Sequence, residues 1–124
     1  MSSSRPRVLL ADDYPDIMIA ISRLLSLDCD IVGTVEDGST LLETAQRLQP
    51  EVIVLDVHLR HLNSLEACRE IRRVSPEMKV IMFTAGADPN VAQAFLKAGA
   101  SAFVAKEASM ELLSTIKRLC GNGG

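Results

Sequence analysis

Val52-Ile53-Val54-Leu55-Asp56 is the stretch on which the fold turns: four aliphatic residues in succession, then a carboxylate. A run this short and this apolar reads as a strand buried on both faces, the habit of parallel sheets covered by helices. An acid at the carboxyl end of such a strand stands where open α/β sheets do their chemistry. A second run, Val8-Leu9-Leu10-Ala11, ends in the acid pair Asp12-Asp13, and two more end near Thr84 and Lys106. Four strand ends thus deliver three acids, a hydroxyl and one cation.

Outward from these runs, strand candidates at 7–11, 31–35, 52–55, 79–83 and 102–105 alternate with helical stretches at roughly 15–27, 39–48, 65–74, 90–98 and 109–119. This is a five-fold βα repeat. Pro50 closes the second helix, Pro76 follows the third, Gly99 ends the fourth, and Ser109 is placed to cap the fifth with Glu111 in its first turn. In that last helix Met110, Leu113, Ile116, Lys117 and Cys120 follow helical spacing. Short connections between parallel strands make right-handed crossovers, so both faces of the sheet should be covered and its order should contain a switch point. The crevice there would gather Asp12, Asp13 and Asp56.

The chain has 124 residues, 48% of them hydrophobic, which suits a single domain with one core. No apolar stretch approaches the roughly 20 residues needed to cross a bilayer, and Met1-Ser2-Ser3-Ser4-Arg5 lacks the apolar run of a signal peptide. A cytoplasmic, membrane-free protein is expected. Cys29, Cys68 and Cys120 have neither C-x-x-C nor zinc-site spacing and read as reduced structural thiols. A formal net charge of −3, with Tyr14, Phe83, Phe95 and Phe103 the only aromatics, argues against direct nucleic-acid binding by this domain. Gly121-Asn122-Gly123-Gly124 cannot hold a helix, so 1–120 reads as the domain and 121–124 as the start of a flexible linker.

Three carboxylates drawn to one crevice repel one another unless neutralised, and oxygen-only ligands fit a hard divalent cation such as Mg²⁺. A carboxylate can itself accept a phosphoryl group, with Mg²⁺ and an ammonium spreading the transferred charge. In this pattern Asp56 is the nucleophile, Lys106 the ammonium, and Thr84 a hydroxyl for a phosphoryl oxygen. Singly, each of these residues reads as surface charge or loop polarity.

With Asp12-Asp13, Asp56, Thr84-Ala85 and Lys106 in this order, the chain resembles, over roughly residues 6–120, the receiver domain of bacterial two-component response regulators. The resemblance implies a doubly wound, flavodoxin-like and chemotaxis-regulator-like five-stranded sheet of order 2-1-3-4-5. It implies that Asp13 binds Mg²⁺ directly, that Asp12 acts mainly through water, and that the His58 backbone carbonyl supplies a further ligand. Asp56 would be phosphorylated by a sensor histidine kinase. Thr84 would then be drawn toward the phosphoryl group and Phe103 would turn inward, shifting one surface between two states. Phe103 also reads equally well as plain core, and Phe83 and Phe95 are assigned to the core. The segment 99–113 is most like receivers that precede a NarL- or LuxR-type DNA-binding domain. Partners implied are the kinase and a second copy of the chain, through the fourth and fifth helices or the first and fifth, where Leu96, Lys97, Met110 and Lys117 lie.

The chain departs from the family's pattern where Pro and Gly commonly follow the phosphoacceptor, four and eight residues on; here Arg60 and Ser64 stand. Residues 57–64 should therefore be more mobile or differently shaped, with a cation near the anionic pocket. Glu107 replaces a common Pro after Lys106, so a trans bond is expected there. His58 and His61 read as solvated loop residues rather than a metal pair, although the His58 side chain could govern water access to an acyl phosphate. Two other functions compete. An aspartate-based phosphohydrolase would also use a strand-end nucleophile and Mg²⁺, but usually carries Asp-x-Asp at the first strand. A phosphorylation-independent receiver, acting by docking alone, would not require the complete set of acids, hydroxyl and lysine.

Overall fold

The computed structural model describes residues 5–86 and 88–121. Five strands, β1 (Arg7–Ala11), β2 (Asp30–Val35), β3 (Val52–Leu55), β4 (Lys79–Thr84) and β5 (Ala102–Ala105), form one sheet of order β2-β1-β3-β4-β5. Every pairing is parallel. Between them run α1 (Pro15–Leu25), α2 (Leu41–Leu48), α3 (Ser64–Val74), α4 (Pro89–Lys97) and, after β5, α5 (Glu111–Leu119). Short 3₁₀ turns precede α2 (Gly38–Thr40) and α5 (Lys106–Ala108).

Alternate residues of each inner strand feed opposite cores. Leu9, Ala11, Ile53, Leu55, Val80 and Met82 face Leu41, Ala45, Cys68, Ile71 and Phe95 of α2, α3 and α4. Val8, Leu10, Val52, Val54, Ile81 and Phe83 face Met18, Ile21, Leu25, Leu112 and Ile116 of α1 and α5. An uninterrupted apolar strand is needed because both of its faces are dry, and each buried Leu or Ile contributes about 1.5–3 kcal/mol. The three cysteines are free; Cys29 and Cys68 are buried in these cores and Cys120 packs against one of them.

Helix starts follow local chemistry. Pro15 and Pro89 occupy the first turns of α1 and α4, where a missing N–H costs nothing. The Asn63 side chain accepts from Glu66 N at 3.0 Å and Asp88 from Asn90 N at 2.7 Å, capping α3 and α4. Gly99, at φ +114°, ends the α4 region as expected, and α2 closes on a left-handed Gln49 ahead of Pro50.

Several sequence-based expectations need correction. The first helix stops at Leu25 rather than 27, and the stretch 39–48 divides into a 3₁₀ turn and an α-helix. Ser109 does not cap the fifth helix with its side chain: Met110 takes the N-cap position, and the Ser109 carbonyl accepts from Leu112 N at 3.0 Å. On α5 Leu112, Thr115 and Ile116 are buried, and Leu113 and Cys120 pack against the same core as expected from their spacing, whereas Met110 stands ahead of the helix and is 84% exposed. The tail residues 122–124 lie outside the described residues. No helix among the described residues is long and apolar enough to cross a membrane.

Candidate functional site

The carboxyl ends of β1 and β3 are in register, Ala11 opposite Leu55, and the ladder extends one step past both strands. Asp56 N donates to Ala11 O at 2.9 Å, and Asp12 N to Val35 O at 3.0 Å. Sheet hydrogen bonds thus fix the backbones of both acids at the point where the order reverses around β1 and β3. Thr84 is the last residue of β4 and pairs with Ala105, which places its neighbour Lys106 at the same edge.

Asp12 and Asp56 are 4% and 3% exposed, and one ammonium serves both: Lys106 Nζ lies 2.8 Å from Asp12 Oδ2 and 3.6 Å from Asp56 Oδ2. Each acid's other oxygen accepts a backbone N–H, Tyr14 N to Asp12 Oδ1 at 2.9 Å and His58 N to Asp56 Oδ1 at 3.1 Å. Burial raises the Asp56 carboxyl above its ordinary range, the His58 N–H and Lys106 oppose that, and the charge of Asp12 adds to it. Lys106 also lies 5.3 Å from the centroid of the Tyr14 ring and 5.8 Å from that of Phe83, so two aromatic faces wall the ammonium.

Asp13 belongs to the same edge but has other company. Its Oδ1 accepts Arg60 N at 3.0 Å and lies 3.8 Å from Arg60 Nε. As the side chains stand, no three His, Cys, Asp or Glu groups among the described residues are arranged to hold a metal. The donor set nevertheless fits one, because three carboxylates at one edge form an all-oxygen site suited to a hard cation, and two of them are buried.

The loop from Asp56 to α3 is tied at several points. The Arg60 carbonyl accepts from Gly38 N at 2.8 Å, and His61, at φ +58°, sets Nδ1 2.8 Å from Asp37 Oδ2. A Cβ on Gly38 would lie 2.2 Å from Leu62 Cβ, so only glycine admits this approach. Hydrogen bonds from Ser39 N and His61 hold the Asp37 carboxyl down to about 2. Ser64 Oγ donates to Val57 O at 2.6 Å, which ties the two ends of the loop together. His58 is exposed, in line with a solvated residue, whereas His61 is exposed but partnered by Asp37.

On the other side of the pocket Thr84 is 4% exposed, and Phe103 is partly buried with its ring centroid 6.4 Å from that of Phe95. Phe83 and Phe95 are core residues at 3% and 6% exposure. The Lys106-Glu107 bond is trans, and the Glu107 carboxylate accepts from Gly86 N at 3.1 Å, joining the loops after β4 and β5. Sequence reasoning missed Tyr14, Asp37 and Gly38. Tyr14 adjoins the acid pair and could have been noticed, while Asp37-Gly38 reads locally as a turn with nothing to tie it to the loop after β3.

The family model of the response regulator receiver domain matches residues 8–117. Among curated proteins, the response regulator GacA of Pseudomonas viridiflava is 32% identical over 115 residues, which cover 90% of this chain and 53% of that protein. The nitrate/nitrite response regulator NarL of Escherichia coli K12 is 29% identical over 114 residues, with 90% and 53% covered. The chain therefore spans about half the length of the curated relatives it matches. Among solved structures, a LuxR-family two-component response regulator from Aurantimonas sp. SI85-9A1 superposes with a TM-score of 0.88 at 27% identity, covering 95% of this chain and 87% of that one. The BeF₃-activated DrrB receiver domain superposes with a TM-score of 0.83 at 27% identity, covering 94% and 97%.

Proposed function

The chain belongs to the response regulator receiver domain family of two-component systems, and from that membership we propose that it accepts a phosphoryl group on Asp56 from a sensor histidine kinase and thereby switches an interaction surface. The observation that carries this reading is the sharing of Lys106 between two buried carboxylates, 2.8 Å from Asp12 and 3.6 Å from Asp56. Membership makes this a signalling domain; self-phosphorylation and its reversal would be its only chemistry.

A carboxylate oxygen of Asp56 attacks the phosphorus of the donor, the donor's N–P bond breaks with its electron pair leaving on the imidazole nitrogen, and an acyl phosphate forms. Asp12, Asp13, Asp56 and the His58 backbone carbonyl would hold Mg²⁺, which when bound neutralises charge on the transferred phosphoryl oxygens. Lys106 supplies a fixed cation beside the acceptor oxygen, and Asp12 keeps it there. Burial deprives the Asp56 carboxylate of water, so its anionic form is poorly stabilised until countercharge arrives. Thr84, buried at the end of β4, offers its hydroxyl to the phosphoryl group, and Phe103, half-buried beside Phe95, is the side chain that follows it.

The output is read as control of transcription in the cytoplasm through a DNA-binding domain outside these residues. Several relatives bear such names, including a DNA-binding LuxR-family response regulator from Staphylococcus aureus. The switched surface would be a homodimer face on α4 and α5 or on α1 and α5, where Leu96 and Met110 are exposed. Intact mass after incubation with Mg²⁺ and acetyl phosphate tests the reading. One phosphoryl group should be added, and none with a chelator or in Asp56→Asn. Addition that survives Asp56→Asn would sink it.

A further inference from the structure

Arg60 stands where a receiver commonly has proline, and its side chain is not needed to shape the loop. The loop is held by backbone and neighbouring groups: Gly38 N on the Arg60 carbonyl, Asp37 on His61, and Ser64 Oγ on the Val57 carbonyl. The guanidinium instead points back across the pocket to Asp13, with Nε 3.8 Å from the same Oδ1 that accepts the Arg60 backbone N–H at 3.0 Å. Asp13 is the acid that Lys106 does not serve: the ammonium's carboxylate partners are Asp12 and Asp56. Two cations therefore divide three acids between them.

We propose that Arg60 is a positioning residue that acts as a built-in counter-cation, neutralising Asp13 before a divalent cation arrives and competing with that cation for it. The proposal rests on the reading of Asp12, Asp13 and Asp56 as a Mg²⁺ pocket. The backbone N–H of Arg60 aims the Asp13 carboxylate in either state, since the loop carrying it is pinned on both sides. The guanidinium is the part that yields. Its side chain is 60% exposed against 18% for Asp13, so it can swing into water at small cost while the carboxylate stays in place. A cation arriving at Asp13 meets a partner already engaged, and the pocket binds it more weakly than its three acids alone would.

Calorimetric titration of Mg²⁺ into the wild type, Arg60→Ala and Arg60→Lys tests this, and binding is read directly without phosphorylation. Arg60→Ala should tighten the dissociation constant roughly three- to fivefold, the range of a partly exposed ion pair. Arg60→Lys, which keeps the charge, should stay near the wild type. The ratio should shrink as KCl is raised from low to near-molar concentration, because the pair is screened. In an Asp13→Asn background Arg60→Ala should change affinity less than twofold; a gain undiminished there would mean that Arg60 acts by diffuse charge and would overturn the proposal. So would an Arg60→Ala variant that binds like the wild type while Asp13→Asn abolishes binding, although the Mg²⁺ pocket itself would then stand. If neither the wild type nor Arg60→Ala binds Mg²⁺, both the pocket and the competitor fall.

Discussion

Replacing Lys106 by Met keeps the aliphatic stem and removes the one ammonium that Asp12 and Asp56 share. At an effective dielectric constant of about 20, its gross attraction is about 6 kcal/mol toward Asp12 at 2.8 Å and about 5 kcal/mol toward Asp56 at 3.6 Å. Most of this offsets the desolvation of an ammonium whose side chain is only 14% exposed, a penalty of several kcal/mol. The variant recovers that penalty but leaves two buried carboxylates facing each other. A net loss of about 3 kcal/mol at pH 7 follows, or a fall in Tm of roughly 10 °C for a domain of this size. Urea unfolding at several pH values gives a second, independent check. Asp56 already has a raised pKa from burial, and removing Lys106, which lowers it, raises it further. A carboxyl whose folded pKa lies above its unfolded value is favourable when protonated, so the cost of Lys106→Met should shrink as pH falls toward 4. Adding Asp56→Asn to Lys106→Met should recover about half of the loss. A cost under about 0.5 kcal/mol, or one that is constant between pH 4 and 7, would refute the idea that Lys106 neutralises this pair.

Asp56→Asn in the otherwise wild-type chain should be more stable than the parent at pH 7, with the difference vanishing below the ordinary carboxyl value of 3.8, where Asp56 is protonated in both states; equal stability at all pH values by urea melts would show that burial is not raising its pKa. Gly38→Ala should displace the 60–62 segment, because the new Cβ would meet Leu62 Cβ and the Arg60 carbonyl; a loss of about 1–3 kcal/mol with shifted amide resonances for His61 and Leu62 is expected, and an unperturbed spectrum would contradict the packing. Leu112→Ala, at a fully buried position on α5, should cost about 2–5 kcal/mol in thermal or urea unfolding.

The architecture was legible because each inner strand reports its own burial. Ile53 and Leu55 supply one core while Val52 and Val54 supply the other, so the unbroken run in β3 could only be a strand with two dry faces. The strand order came from family resemblance, since helical crossovers alone leave several orders open. The pocket residues were legible because Asp12, Asp56, Thr84 and Lys106 stand at strand ends, which the apolar runs mark. Distances within the site were not. Nothing local announces that Asp13 pairs with Arg60, 47 positions away, or that Asp37 braces His61 across 24. These are loop-to-loop contacts whose register depends on the finished fold. One helix edge failed for a related reason: the stretch expected to be helical from 39 begins inside the 3₁₀ turn Gly38–Thr40, where the Asp37 side chain accepts from Ser39 N, and the α-helix starts only at Leu41.

The measurement closest to the central claim is the location of the phosphoryl group. After incubation with Mg²⁺ and acetyl phosphate, borohydride reduction converts an acyl phosphate to an alcohol, and peptide mapping identifies the residue. Homoserine in place of Asp56, with Asp12 and Asp13 unmodified, is the expected result. Reduction at Asp12 or Asp13, phosphate retained on a hydroxyl, or no modification in a folded protein that binds Mg²⁺ would contradict it.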